Sequence, residues 1–189
     1  MKSRFSRPRK RKDMLTKDMV DKILDAAEKT DDEDYLFLLL LARTGRRLGE
    51  VLGITPRDID YADHILWTDI EKTRSPGSRG MCFIDDKTAE ILKNFIESRS
   101  IGRDERLFQR SIRTYQRLLM KYVNQAGLDI YVSVHSFRHY VITSLRQLGW
   151  SWENIQKVSG HKSVTSLAVY DHTDARLVEG DFRKALGAL

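Results

Sequence analysis

Two histidines, an arginine and a tyrosine surround one apolar-periodic stretch in the last third of the chain. His135 and Arg138 stand three residues apart at its start, His161 follows it, and Tyr170 comes nine residues after His161. Such a set suits attack on a phosphodiester, because an arginine can hold phosphoryl oxygens, imidazoles can exchange protons and a phenol can act as nucleophile. Taken alone, the set is only moderately specific for that chemistry.

A second candidate cation, Arg47, stands far upstream. It follows Thr44, Gly45 and Arg46 and begins a short predicted helix that carries Glu50. A helix start adds backbone N–H groups and a positive dipole end beside a phosphate. The alternative is a surface arginine that pairs with Glu50 three residues on.

A predicted β-hairpin carries the third candidate, Lys72. Residues 65–70 and 81–84 are rich in β-forming side chains and enclose a turn that contains proline and glycine. A lysine there can place its ammonium against a leaving oxygen and donate a proton, the alternative being a solvated turn lysine. Arg74 and Arg79 of the same turn are interpreted as contacts to backbone phosphates rather than as catalytic residues.

The histidines also allow a competing hypothesis, a zinc site. The spacing of His135, His139, His161 and His172 matches no structural zinc pattern, and no cysteine or acid completes the set. On a helix His139 faces away from the His135–Arg138 side, which favours a structural role. Nucleotide-binding glycine loops and HExxH are absent from the sequence, so we predict neither a metal nor a cofactor.

Charge is concentrated at the N-terminus. The formal net charge is +6, but it would be −1 without seven basic residues that precede the first acid: Lys2, Arg4, Arg7, Arg9, Lys10, Arg11 and Lys12. We predict a flexible tail over residues 1–12 that binds phosphates through Arg7, Arg9, Lys10, Arg11 and Lys12. A remnant of expression or a solubilising tail is the alternative. The nearly neutral remainder must bind nucleic acid, if at all, through a local cluster of cations.

The single cysteine, Cys82, excludes a disulfide framework and a cysteine-rich metal site. The longest apolar run, residues 35–42, is too short to span a bilayer, and no signal peptide precedes it. We therefore expect an intracellular, cytoplasmic protein without a membrane partner.

Apolar residues at helical spacing predict most of the remaining elements. Helices are expected from Thr16, through 36–41, over 48–52, after Thr55-Pro56, around 91–96, over 112–123, over 137–148 and over 152–158. A weaker helix is expected over 174–186. With one small antiparallel sheet, the fold class is α+β and mostly helical.

Three segments together resemble the catalytic domain of the tyrosine recombinases, the phage integrase family. They are Thr44-Gly-Arg-Arg-Leu-Gly-Glu50, His135-Ser-Phe-Arg-His139, and Ser159-Gly-His161 with Tyr170 nine residues later. Lys72 before a glycine-containing turn is similar to the lysine of the family's hairpin. All elements of residues 13–189 stand in family order.

The resemblance implies a site-specific DNA recombinase that cuts and rejoins strands through a 3′-phosphotyrosine intermediate, without metal or ATP. Tyr170 would be the nucleophile, supported by the activating residues Arg47, Lys72, His135, Arg138 and His161 and by Glu50. The implied partners are double-stranded DNA and further copies of the chain, as a tetramer on DNA.

Two departures from the family pattern concern Ser159 and Phe137, which stand where leucine is usual. Both are interpreted as packing positions. Full-length members also carry an N-terminal DNA-clamping domain, whereas only the basic tail precedes Thr16. The expected organisation is thus a tail, 1–12, and a catalytic domain, 13–189, that is either excised or part of a minimal recombinase. The rivals are an inactive DNA-binding regulator of the same fold, a type IB topoisomerase and a helical interaction domain.

Overall fold

The computed structural model describes residues 14–69, 79–161 and Leu167, and within these ranges the chain forms an α+β fold that is mostly helical. This confirms the predicted fold class. The helices are α1 (Lys17–Glu28), α2 (Asp32–Thr44), α3 (Leu48–Leu52), α4 (Asp86–Ser98), α5 (Ile112–Gln125), α6 (Val134–Gln147) and α7 (Trp152–Ser159), with a 3₁₀ turn at Pro56–Asp58. The strands are β1 (Ile59–Asp60), β2 (Ile65–Asp69) and β3 (Arg79–Phe83).

Helix α2 runs through the centre of the core. Its residues 36–41 are all buried, so the helix is enclosed on every side, and it packs against α1, α4 and α6. The Asp31 carboxylate caps its first turn by accepting a hydrogen bond from Asp34 N at 2.9 Å. Gly45, in the left-handed region with φ +59°, ends the helix and turns the chain towards Arg47. The end of this buried central helix therefore sets the position of Arg47, the first candidate cation along the chain.

The three strands form one antiparallel sheet in the order β1–β2–β3. Ile65 pairs with Phe83 and Asp69 with Arg79, which confirms the predicted hairpin. Strand β1, which pairs Ile59 with Leu66, was not expected from the sequence. The hairpin tip, with Lys72 and Arg74, lies outside the described residues.

A buried polar cluster joins the first turn of α2 to α5. Tyr115 Oη donates to Glu33 Oε1 at 2.7 Å, and Tyr122 Oη donates to Asp34 Oδ2 at 2.6 Å. Burial and these carboxylates raise the pKa of both phenols. Arg110 pairs with both carboxylates, so each of these two buried charges has a counterion. The cluster fixes α5 against α2, and both tyrosines are fully buried in the core.

No helix in the described ranges is long and apolar enough to cross a bilayer. The helix expected over 174–186 and the N-terminal tail lie outside those ranges.

Candidate active site

Arg138 is the cation around which the site is built. It lies on α6 and is buried, with an exposed fraction of 3%. Its Nη1 donates to Gly45 O at 2.9 Å and its Nη2 donates to Ser159 O at 2.8 Å. The guanidinium thus joins the end of α2 to the end of α7, and its rigid fork suits two acceptors on different segments.

His161 lies against Arg138, directly after α7. Arg138 Nη2 is 3.1 Å from His161 Nδ1 and 3.2 Å from Nε2. Burial lowers the pKa of His161 to about 4, helped by the positive charges of Arg138 and Arg47 and by His139. The imidazole is therefore neutral at pH 7, and Arg47, Arg138 and His139 all lie close enough to act on it.

Arg47 is oriented by a buried carboxylate. Glu50, with an exposed fraction of 1%, accepts from Arg47 Nη1 at 2.8 Å and from Arg47 N at 3.0 Å. The predicted pairing three residues apart is therefore present, but on a side chain that is only 24% exposed rather than on an open surface. Because Glu50 accepts from both the backbone and the side chain of Arg47, it fixes the orientation of that side chain.

A cavity of about 350 Å³ opens beside Arg47, between α5 and the start of α6. Arg47 and His135 both line it, together with Gln116 and Tyr131. His135 is exposed, whereas Arg138, three residues on, is buried. A phosphate flanked by sugars can enter this cavity.

Phe137 and Ser159 were both interpreted as packing positions, and the structure agrees with this for Phe137 only. Phe137 is fully buried, as expected of a packing position. For Ser159 that interpretation is wrong, because its Oγ lies 2.7 Å from His161 Nδ1 and its carbonyl accepts from Arg138. The sequence did offer one indication of this contact, because a serine stands only two residues before a candidate site histidine.

Arg46 is a second residue whose position the sequence did not indicate. Its side chain is fully buried between Glu50, Met81 and Gly160. Its Nη2 donates to Met81 O, and its Nε and Nη1 have no hydrogen-bond partner among the described residues. A Cβ on Gly160 would lie 2.9 Å from Arg46 Nη1, and Gly160 has φ +67°, so this position requires glycine.

Further cations stand on other segments of the chain. Arg79, the first residue of β3, pairs with Asp58 and lies 3.7 Å from Asp69, so two carboxylates position it at the base of the hairpin. Arg113 and Arg117 are exposed on α5, next to the cavity residue Gln116. The two arginines stand four residues apart and share one helix face, a signal that the sequence analysis did not use.

Other predicted site residues lie outside the described residues. These are Lys72, Tyr170, Arg74, Arg7, Arg9, Lys10, Arg11 and Lys12. Arg47, His135, Arg138 and His161, from three separate segments, are brought into one region.

The low pKa of His161 predicts a pH-dependent loss of stability. An unfolded histidine has a pKa of about 6.5, so between that value and about 4 the unfolded chain binds the extra proton. The contribution of neutral His161 to the free energy of unfolding is fully present above pH ~6.5 and is lost as the pH drops towards 4. Urea unfolding at pH 7 and pH 5 should show a smaller loss for His161→Gln than for the wild type.

His64 provides the control for this measurement. It is half-buried, lies 3.1 Å from Asp86 and is remote in sequence from the site. His64→Asn should retain the wild-type loss between pH 7 and pH 5. A loss in His161→Gln as large as in the wild type would show that another group takes up the proton.

Comparison with known proteins finds relatives that align with most of the chain. The chain is 26% identical over 180 residues to tyrosine recombinase XerA of Saccharolobus solfataricus, covering 95% of this chain and 59% of the relative. It is 30% identical to XerC of Natranaerobius thermophilus over 77% of this chain and 53% of that protein. The chain therefore spans little more than half the length of these relatives.

Solved structures show the same fold. A crystal structure of XerA recombinase superposes with a TM-score of 0.78 at 23% identity, covering 95% of this chain and 66% of the other. XerH recombinase bound to a palindromic difH substrate, a post-cleavage complex, superposes with a TM-score of 0.75 at 20% identity, covering 90% and 52%.

The family assignment rests on a match over most of the chain. The model of the phage integrase family matches residues 13–176, which include the segments of Arg47, Arg138, His161 and Tyr170. The chain belongs to the phage integrase family.

Proposed function

We propose that this chain is the catalytic domain of a site-specific DNA recombinase that cuts and rejoins strands through a 3′-phosphotyrosine intermediate. The observation that carries the proposal is the convergence of Arg47, His135, Arg138 and His161 on one region from three distant segments. Two arginines and a neutral imidazole in one region, with Arg47 lining an open cavity, form a site for a phosphodiester.

The reaction is a transesterification with Tyr170 as the nucleophile. Its phenolic oxygen attacks the phosphorus, the bond to the 5′-oxygen breaks, and the strand becomes joined to the protein through its 3′-phosphate. A 5′-hydroxyl of a second strand then attacks the phosphotyrosine and releases the tyrosine. Each step exchanges one phosphodiester for another, so neither ATP nor hydrolysis is needed.

The remaining residues each stabilise the transition state or transfer a proton. Arg47 and Arg138 stabilise the negative charge on the non-bridging oxygens, a task that metal ions perform in other enzymes. His161, neutral at pH 7, adds a hydrogen bond. His135, exposed in the cavity, accepts the proton of the phenol, whose ordinary pKa of about 10 leaves roughly one in a thousand ionised at pH 7. Lys72 protonates the leaving 5′-oxygen.

Double-stranded DNA would lie across the cavity and along α5. Arg113 and Arg117 are exposed beside Gln116, and arginine and glutamine side chains read guanine and adenine in the major groove. Arg74, Arg79 and the basic tail would add contacts to phosphates. Exchange between two duplexes requires a cleaving centre on each of four strands, which implies four copies of the chain on DNA.

Covalent trapping on a randomised substrate tests the proposal for any target sequence. A pool of nicked duplexes, randomised on both sides of the cleavage position, is incubated with the chain. The nick lets the short leaving strand diffuse away, so cleavage ends as an SDS-resistant protein–DNA adduct. The recombinase is expected to form this adduct and to enrich one sequence in the trapped DNA.

The rival functions give different outcomes. A regulator of the same fold would shift duplexes in a gel but form no adduct. A topoisomerase would form the adduct and relax a supercoiled plasmid, yet would not join strands from two duplexes that carry the enriched sequence. Failure to bind any duplex at low salt would contradict all three nucleic-acid hypotheses.

A further inference from the structure

Two groups contact the imidazole of His161, the guanidinium of Arg138 and the hydroxyl of Ser159, and only the hydroxyl contacts one ring nitrogen alone. Arg138 Nη2 lies almost equally far from Nδ1 and Nε2, at 3.1 and 3.2 Å, so it does not distinguish them. The Ser159 hydroxyl lies 2.7 Å from Nδ1. A neutral imidazole carries its proton on one nitrogen only, and the hydrogen bond at the other selects which one. The hydrogen bond of Ser159 can therefore determine which ring nitrogen carries the proton.

The direction of this hydrogen bond follows from the surrounding donors. Ser159 is buried, with an exposed fraction of 5%, and the described residues offer its hydroxyl no second partner. If Nδ1 carried the proton, the buried hydroxyl hydrogen would lack an acceptor among the described residues, which costs free energy. If Ser159 donates to Nδ1, its hydroxyl hydrogen has an acceptor and this cost is avoided.

The same residue also holds the neighbouring cation. The Ser159 carbonyl accepts from Arg138 Nη2 at 2.8 Å, while its hydroxyl contacts His161. Gly160, between them, has φ +67° and turns the chain back at the end of α7. One serine at a helix end thus fixes both the guanidinium and the imidazole, the first through its backbone and the second through its side chain.

We propose that Ser159 is a positioning residue that holds His161 in the Nε2–H tautomer. The ring then presents a hydrogen-bond donor at Nε2, which suits a negatively charged phosphoryl oxygen and not a proton to be abstracted. This inference rests on the proposed recombinase function for its catalytic consequence, but the tautomer itself is a property of the DNA-free protein.

Nitrogen-15 NMR of the histidine rings tests the tautomer directly. The full chain, labelled at its five histidines, is studied without DNA at pH 7, and His161→Gln assigns the signals of His161 by their absence. The wild type should show Nδ1 unprotonated and Nε2 protonated. Ser159→Ala should show a mixture of both tautomers. An Nδ1–H signal in the wild type, or an unchanged spectrum in Ser159→Ala, would overturn the proposal.

Cleavage kinetics test whether Ser159 acts through His161. Ser159→Ala should slow adduct formation by about tenfold, the size expected for one neutral hydrogen bond. In a His161→Gln background the same change should alter the rate by less than about twofold. The free-energy effects of two substitutions add when the residues act independently, and they do not add when one residue acts through the other. An equal loss in both backgrounds would assign Ser159 a purely structural role and contradict the proposal.

A second pair of variants separates the hydroxyl from packing. Ser159→Thr and Ser159→Val have nearly the same shape, so any strain at the end of α7 is common to both. Only threonine keeps the hydroxyl, so it should retain the Nε2–H tautomer and cleave about tenfold faster than valine. Equal spectra and rates for the pair would refute the proposal. Absence of an adduct in the wild type would contradict the recombinase function and leave the tautomer measurement intact.

Discussion

Replacement of Tyr170 by phenylalanine should leave DNA binding intact and abolish the covalent protein–DNA adduct. Phenylalanine keeps the ring and removes only the oxygen that would attack the phosphorus. Removal of a nucleophile leaves binding and charge stabilisation in place but no route to the covalent intermediate. Adduct formation on the enriched duplex should therefore fall by at least about 10⁴-fold, while the gel-shift affinity at fixed salt stays unchanged.

Tyr131 provides the matched control for this experiment. It is half exposed and lines the same cavity as Arg47 and His135, so it is the described tyrosine placed to attack a phosphate there. Tyr131→Phe should still form the adduct. Persistence of the adduct in Tyr170→Phe together with its loss in Tyr131→Phe would identify Tyr131 as the nucleophile and contradict the assignment made from the spacing to His161.

The second large effect is expected for Arg138→Lys. Lysine keeps the positive charge, but one ammonium cannot donate to Gly45 O and Ser159 O while also facing a phosphate. We expect adduct formation to fall by about 10²–10³-fold, as when a donor to a developing oxyanion is removed. Two buried carbonyls also lose a charged donor, so the free energy of unfolding should decrease by about 2–3 kcal/mol or more.

Stability and chemistry are separated by a control on the same helix. Arg146, two turns further along α6, donates to Trp150 O at 3.1 Å and packs over Trp152. Arg146→Lys should cleave within about threefold of the wild type, since surface changes of this kind have small effects. Rates are compared at a temperature where urea unfolding shows each variant to be folded. Near-normal cleavage by Arg138→Lys under these conditions would exclude its proposed role at the phosphate.

The helices were largely predictable because their physical signals are local. Apolar residues at helical spacing marked the core face of α1, α4, α5 and α6. Strand β1 was missed because it has only two residues and exists through its pairing with β2. Such pairing depends on contacts distant in sequence, for which a short segment carries no pattern.

At the site, residue types with known chemistry were easier to identify than the residues that hold them. Arg47, Glu50, Arg138 and His161 followed from their segments and lie together in the structure. Arg46 looked like any charged residue, since arginines are rarely fully buried. Its burial depends on Gly160, which is more than 100 residues away. Ser159 was missed for the same reason, because its contact with His161 appears only when α7 ends in a left-handed turn.

The two carbonyls held by Arg138 have a consequence for synthesis of the protein. Gly45 lies 93 residues before Arg138 and Ser159 lies 21 residues after it, so the clamp forms only after most of the chain has left the ribosome. Contacts so far apart also form slowly, since the intervening loops must close first. A nascent chain that presents only its first segments therefore has cations but not the assembled site, and the proposed cleavage of DNA would begin only after the fold is complete.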